Sequence, residues 1–209
     1  MGNSTEIINI EADEKYAIES AYKIFKRGGI FIYPTDTIYG FGCDPFNKLA
    51  MNRLNNLKVR VSEKQYILLI NSLEVLKSYS DPPKQTLDVL NKIWPAAISV
   101  ILKLNYETKK KLSYSTAAFR IPDNTFCLAL LTRLSSPLIS TSVNISNEKP
   151  LTNIDSIINN EFANTVDAVF YSSIEKNPPP STIVDLTDNH PRVLREGQIN
   201  FMDIWRNLG

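Results

Sequence analysis

Gly28-Gly29-Ile30-Phe31-Ile32-Tyr33-Pro34-Thr35-Asp36-Thr37 closes a helix, opens and ends an apolar run, and leads into small polar residues. Upstream of it, Ala17, Ile18, Ala21, Ile24 and Phe25 recur at helical spacing, with Asp13 and Glu14 in the first turn, where negative charge suits the helix dipole. The glycine pair stops that helix, and residues 30–33 read as a strand that Pro34 terminates. The same alternation continues along the chain. Residues 49–58 read as a helix with Ala50, Leu54 and Leu57 on one face, residues 66–70 as a strand, and Ser72 as the cap of a short helix. Pro82-Pro83 introduces a helix whose inner face is Leu87, Leu90, Ile93 and Trp94. Strands are expected at 97–104 and 117–121 around a turn rich in Lys, Ser and Tyr, then a helix at 126–134 and a strand at 137–141. A helix marked by Ile154, Ile157, Ile158 and Phe162 and strands at 166–171, 182–186 and 192–194 complete the reading. Strands separated by helices of ordinary length predict an α/β fold with helices packed on an open twisted sheet. Several neighbouring strands lack a helix between them, so the sheet is expected to be mixed.

Composition narrows the class. With 209 residues, 43% of them hydrophobic and 22% charged, the chain has the make-up of a globular protein and is long enough for one sizeable core, read here as a single domain over 1–209. A formal net charge of +1 supplies no global field for nucleic acid, so any RNA contact needs a local patch. Cys43 and Cys127 are the only cysteines and have no paired spacing, which argues against a disulfide framework or a thiolate metal site. Residues 1–12 alternate apolar and acidic side chains without a signal-like apolar core, and no run approaches the length of a membrane span. A cytoplasmic location is expected.

Standard motifs are missing from the sequence. It contains no Walker-type glycine loop, no Gly-x-Gly-x-x-Gly and no His-Glu-x-x-His. Gly40-Phe41-Gly42 reads as a tight turn. His190, the single histidine, lies in the loop signature Asp188-Asn189-His190-Pro191 and reads as a surface imidazole, which leaves no base for a Ser-His-Asp hydrolase. What remains is a set of hydroxyls and cations at strand ends, where α/β sheets build their sites. Thr35 and Asp36 fit a turn that bonds local amides, whereas Thr37 precedes an apolar pair and is expected to point inward. Lys58, Arg60 and Lys64 place three cations in seven residues, which alone would suit a solvated helix end. Arg120 sits inside an apolar strand and needs a carboxylate from the protein or from a ligand. Ser140-Thr141-Ser142-Val143-Asn144-Ile145-Ser146 is dense in hydroxyls for a simple cap. Ser181 and Arg195 flank two further strand ends.

In this order, the blocks Tyr33-Pro34-Thr35-Asp36-Thr37-Ile38-Tyr39-Gly40-Phe41-Gly42, Lys58-x-Arg60, Trp94-Pro95, Phe119-Arg120-Ile121-Pro122-Asp123, Ser142-x-Asn144, Ser181-Thr182-Ile183-Val184-Asp185-Leu186-Thr187 and Leu194-Arg195-x-Gly197 are distinctive. The chain resembles the YrdC family of threonylcarbamoyl-AMP synthases from about residue 28 to residue 199. The resemblance implies a concave, cation-lined face and a nucleotidyltransferase that makes threonylcarbamoyl-AMP and pyrophosphate from L-threonine, bicarbonate and ATP. Mg²⁺ would accompany ATP without dedicated protein ligands. The product would pass to a separate tRNA threonylcarbamoyl transferase complex, which modifies the adenosine beside the anticodon. Carried over by position, the resemblance assigns Thr37, Arg120, Ser140 and Ser181 to threonine, and Arg60, Lys64, Thr116, Ser142, Asn144 and Arg195 to ATP. Lys58 falls between them, and with Arg60 it carries the catalytic role.

Three positions depart from the family pattern: Val61 and Ala96 stand where Pro and Gly are usual, and Asn147 where Gly is usual. The resemblance implies that the catalytic domain ends near the last residue here, so the extra domain of the family's longer form is not expected. Two alternatives stay open. One is a paralogue sharing the fold but acting on another substrate, which retention of Ser142 and Asn144 argues against. The other is a non-catalytic module for tRNA or double-stranded RNA, which steep salt dependence of RNA affinity would reveal.

Overall fold

The structure, a computed structural model, describes residues 5–59, 65–174, 179–188 and 190–208. Among these, ten strands form one mixed sheet: β1 (Glu6–Asn9), β2 (Phe31–Tyr33), β3 (Gly40–Gly42), β4 (Ile67–Leu69), β5 (Ile98–Lys103), β6 (Thr116–Arg120), β7 (Leu138–Ser142), β8 (Ala168–Tyr171), β9 (Thr182–Asp185) and β10 (Arg192–Arg195). Their spatial order is β1-β8-β2-β3-β7-β4-β6-β5-β9-β10. β1 and β2 flank β8 in parallel, β4 is parallel to β6, and β5 to β9; the other neighbours are antiparallel. The expected mixed sheet is the one observed.

Side-chain alternation along β2 explains the two layers of core. Ile30 and Ile32 face one side and Phe31 and Tyr33 the other, all fully buried. Helices α1 (Glu14–Lys26) and α6 (Thr125–Leu134) cover the Phe31 and Tyr33 side with Ala17, Ala21, Ile24, Phe126 and Leu130. On the opposite side α2 (Lys48–Leu57), α3 (Leu73–Tyr79), α4 (Lys84–Ile93), α5 (Tyr106–Leu112), α7 (Ile154–Ile158) and α8 (Phe201–Leu208) bring Leu54, Leu76, Leu90, Ile157 and Phe201 against the sheet, α5 contributing the partly buried Leu112. Ser72 caps α3 as expected, its hydroxyl accepting from the Val75 amide.

Three local expectations are corrected, and one strand is found where none was expected. Gly40-Phe41-Gly42 is no turn but the strand β3, paired antiparallel with β2 and β7. Its glycines serve close packing: a Cβ on Gly42 would lie 2.8 Å from ring atoms of both Phe31 and Tyr33. The Lys-rich stretch after β5 is a capped helix, α5, because the Asn105 side chain accepts from the Thr108 amide. Residues 6–9 form β1, held by β8. Finally, β7 runs on through Ser140-Thr141-Ser142, since Ile67 and Gly40 of the flanking strands pair with Ser140 and Ser142.

Candidate functional site

A cleft of about 740 Å³ lies over the face of the sheet from β3 to β10. None of its lining residues belongs to a helix, so strand periodicity decides which side chains enter it. Thr116, Ala118 and Arg120 of β6 alternate onto that face, as do Ser140 and Ser142 of β7 and Ser181, Ile183 and Asp185 along β9. The β2–β3 connection adds Thr37, and β10 adds Arg195. Segments as distant as 37 and 195 thereby meet in one basin.

Arg120 is 3% exposed and already paired. Its guanidinium forms an ion pair with Asp36, donates from Nη1 to Thr37 Oγ1 at 3.2 Å and from Nε to the Ala96 carbonyl at 3.3 Å. Of the two partners the sequence allowed, the protein's own carboxylate is the one found. Asp36 therefore does not bond local amides; Thr35 does, accepting from the Thr37 amide at 3.0 Å and donating to the Ile38 carbonyl at 2.8 Å. Thr37 points inward as expected and is 6% exposed.

Arg195 differs. Among the described residues no carboxylate pairs with it; Nε and Nη2 donate to the Ser181 carbonyl and Oγ at 3.0 and 3.1 Å. Burial and then the nearby charge of Arg120 lower its pKa. A cation in that setting gains from an anion arriving in the cleft. Asp185, also on the wall, is occupied by Thr187 and by Arg192 at 3.0 Å; burial raises its pKa, but these hydrogen bonds outweigh it and leave the net shift downward.

Lys58 is not brought to the cleft wall. It is buried at the end of α2, its Nζ donating to the Ser142 carbonyl at 2.6 Å and to the Asn144 carbonyl and Oδ1, both at 2.9 Å. An ammonium only donates, which fixes the amide orientation of Asn144: Oδ1 faces Lys58 and Ser142, and Nδ2 donates to the Glu148 carbonyl. Ser142 gives its proton to Asn144 Oδ1 at 2.6 Å. The Lys58, Ser142 and Asn144 blocks are thus one network, with Ser142 its cleft-facing member. Asn147 sits at φ 73, the left-handed region that explains why glycine is usual there and why Asn is accommodated. Arg60, Val61 and Lys64 lie outside the described residues.

Thr116 exchanges hydrogen bonds with Gln65 at 3.3 Å, and Ser140 lines the cleft two strands away, across β4. Tyr39 and Thr187, which stand inside two of the distinctive blocks without an assigned role, also line it, as do Gln65 and Tyr66, whose neighbours in the chain give no local signal. Cys43 and Cys127 are buried and unpaired with each other, and burial pushes the Cys43 thiol to about 12. His190 is exposed, as expected. Among the described residues no three His, Cys, Asp or Glu side chains gather to hold a metal ion, and no helix is long and apolar enough to cross a membrane.

An open α/β sheet whose basin is lined by hydroxyls, Arg120 and Arg195 can hold small polar and anionic ligands. The family model for Sua5, YciO and YrdC proteins, described as telomere recombination, matches residues 23–197, and the chain belongs to this family. The fold is similar to P. abyssi Sua5 complexed with L-threonine (24% identity, TM-score 0.88, 98% of this chain and 61% of that one). It is also similar to E. coli YciO (27%, 0.81, 94% and 96%). A solution structure of MTH1692 from Methanobacterium thermoautotrophicum is 32% identical, with TM-score 0.65 and 86% of each chain covered. The chain spans about 60% of the length of the Sua5 structures it matches.

Proposed function

We propose that the protein is an L-threonylcarbamoyladenylate synthase, joining L-threonine, bicarbonate and ATP with release of pyrophosphate. The observation that carries this reading is the convergence of Thr37, Arg120, Ser140, Ser181, Thr116, Ser142 and Arg195 on one cleft large enough for an amino acid beside a nucleotide. Family membership and the threonine-bound Sua5 of like fold support it.

In this reading the amino acid lies between Thr37 and Ser181, its carboxylate toward Arg195, while Arg120, paired with Asp36, holds Thr37 in place. The neutral amine attacks bicarbonate, and loss of water gives the carbamate. A carbamate oxygen then attacks the α-phosphorus of ATP in line, and the bond to the β-phosphate oxygen breaks to release pyrophosphate. The chain's part is to position and to stabilise charge: Arg195 faces the anions, Ser142 offers hydroxyl lone pairs to a donor of the nucleotide, and Arg60 and Lys64 supply further cations. Lys58 holds the Ser142 loop in register. Mg²⁺ enters on the ATP phosphates as part of the substrate. The product would be handed to a tRNA threonylcarbamoyl transferase, with any tRNA contact local to the cleft rim.

Pyrophosphate release, with each of the three substrates omitted in turn, tests the reading. Release is expected only with all three present. Equal release with serine, or with no amino acid, would exclude it.

A further inference from the structure

Two of the cleft hydroxyls have partners that fix where their protons point. Thr35 Oγ1 lies 2.8 Å from the Ile38 carbonyl, which has no hydrogen to give, so the Thr35 proton is used there. Thr35 Oγ1 and Thr37 Oγ1 are 3.0 Å apart, and that contact needs the proton of Thr37. Thr37 Oγ1 also accepts from Arg120 Nη1. With its proton given to Thr35, Thr37 shows the cleft only a lone pair.

Ser181 is set the opposite way. Its Oγ accepts from Arg195 Nη2 at 3.1 Å and lies 3.0 Å from Ser99 Oγ. Ser99 is fully buried on β5, and Ser181 is its only side-chain partner among the described residues. A buried hydroxyl donor left unmet costs far more than an unmet second lone pair, so Ser99 donates to Ser181. Ser181 then accepts twice, and its own proton is released toward the cleft.

We infer that Thr35 and Ser99, neither of which lines the cleft, are specificity-determining positioning residues: they set Thr37 as an acceptor and Ser181 as a donor, a matched pair that reads a hydroxyl. A hydroxyl is a group that gives one proton and takes another at the same atom. Resting on the proposed function, the ligand group is the side-chain hydroxyl of threonine, donating to Thr37 and accepting from Ser181. An amino acid with hydrogen in place of that hydroxyl leaves both partners unmet, the arrangement that discriminates most sharply between analogues.

Two measurements test this. Neutron diffraction from deuterium-exchanged crystals of the ligand-free protein is expected to place the Thr37 deuteron toward Thr35, the Ser99 deuteron toward Ser181 and the Ser181 deuteron toward the cleft. A Thr37 deuteron in the cleft, or a Ser181 deuteron on the Ser99 side, overturns the inference. In solution, titration calorimetry compares L-threonine with L-2-aminobutyrate. The preference for threonine is expected to exceed about 100-fold in the wild type. It is expected to fall at least tenfold in Thr35→Val and severalfold in Ser99→Ala, and to return in Thr35→Ser, which keeps the hydroxyl. An unchanged preference in folded Ser99→Ala and Thr35→Val, or no recovery in Thr35→Ser, contradicts it; if Thr35→Val does not fold, Ser99→Ala decides. Wild-type protein that binds neither amino acid removes the threonine reading and the ligand assigned here, while the deuteron positions independently decide the polarity of the two hydroxyls.

Discussion

Asp36 and Arg120 form a buried ion pair whose side chains are 9% and 4% exposed. Removing one member leaves the other charged, desolvated and without a counterion, which costs about 3–5 kcal/mol. Asp36→Asn is therefore expected to lower stability by that order, read as a shift in the urea midpoint at unchanged slope. Arg195 has no such carboxylate partner among the described residues, so Arg195→Gln is expected to leave the unfolding midpoint nearly unchanged. The same substitution should weaken ATP binding at least tenfold by calorimetry, because the anion loses its cation. Asp44, just after β3, offers a pH test of packing away from the cleft. Burial raises its pKa, although its carboxylate accepts from the Phe46 amide at 2.8 Å. A carboxyl raised in the folded state is bound to its proton more firmly there than in the unfolded chain. Folding thus loses stability as pH climbs from the unfolded value of 3.8 through the folded one, and the penalty persists at neutral pH. Asp44→Asn keeps the acceptor for Phe46 and removes the charge. It is expected to raise the melting temperature at pH 7 and to change it little below pH 3.

At the scale of elements, the loop after β7 depends on one side chain of another element. Lys58 meets three oxygens of residues 142–144, and the Ser146 amide donates to the Lys58 carbonyl at 2.9 Å. Lys58→Met keeps the aliphatic stem and deletes the donors. It is expected to cost about 2–3 kcal/mol and to raise amide exchange over 143–151 before other segments; uniform exchange across the protein would contradict a local anchor. The sequence pattern located most of these elements because the core is periodic: β2 alternates across a doubly covered sheet, and α1 and α6 carry apolar faces. It misplaces Gly40-Phe41-Gly42, where Gly42 answers crowding by Phe31 and Tyr33 and Gly40 the close approach of Ser140 and Thr141, tertiary causes with no local mark. It left α5 as a turn because Lys109-Lys110-Lys111 hides a one-sided helix whose buried residue is Thr108.

Across the whole molecule, the site was legible as a set of blocks and illegible as a network. Thr116 and Arg120 gather because they share a strand face, which spacing alone predicts. That Arg120 is neutralised by Asp36, that Lys58 is buried under Ser142, and that Ser99 touches Ser181 depend on strand order in the sheet. β5 lies between β6 and β9, so Ser99 meets a residue 82 positions away in the chain. The same order leaves a basin from β3 to β10 whose lining residues belong to strands and loops, and the account stands on that basin holding amino acid and nucleotide together. Incubation with ¹⁴C-bicarbonate, ATP and L-threonine, followed by chromatography of the nucleotides, tests this most directly. The account predicts label in an adenylate that forms only when threonine is present and yields labelled threonine carbamate derivatives on cleavage. ATP turnover with no label in any adenylate, or labelling indifferent to threonine, would contradict it.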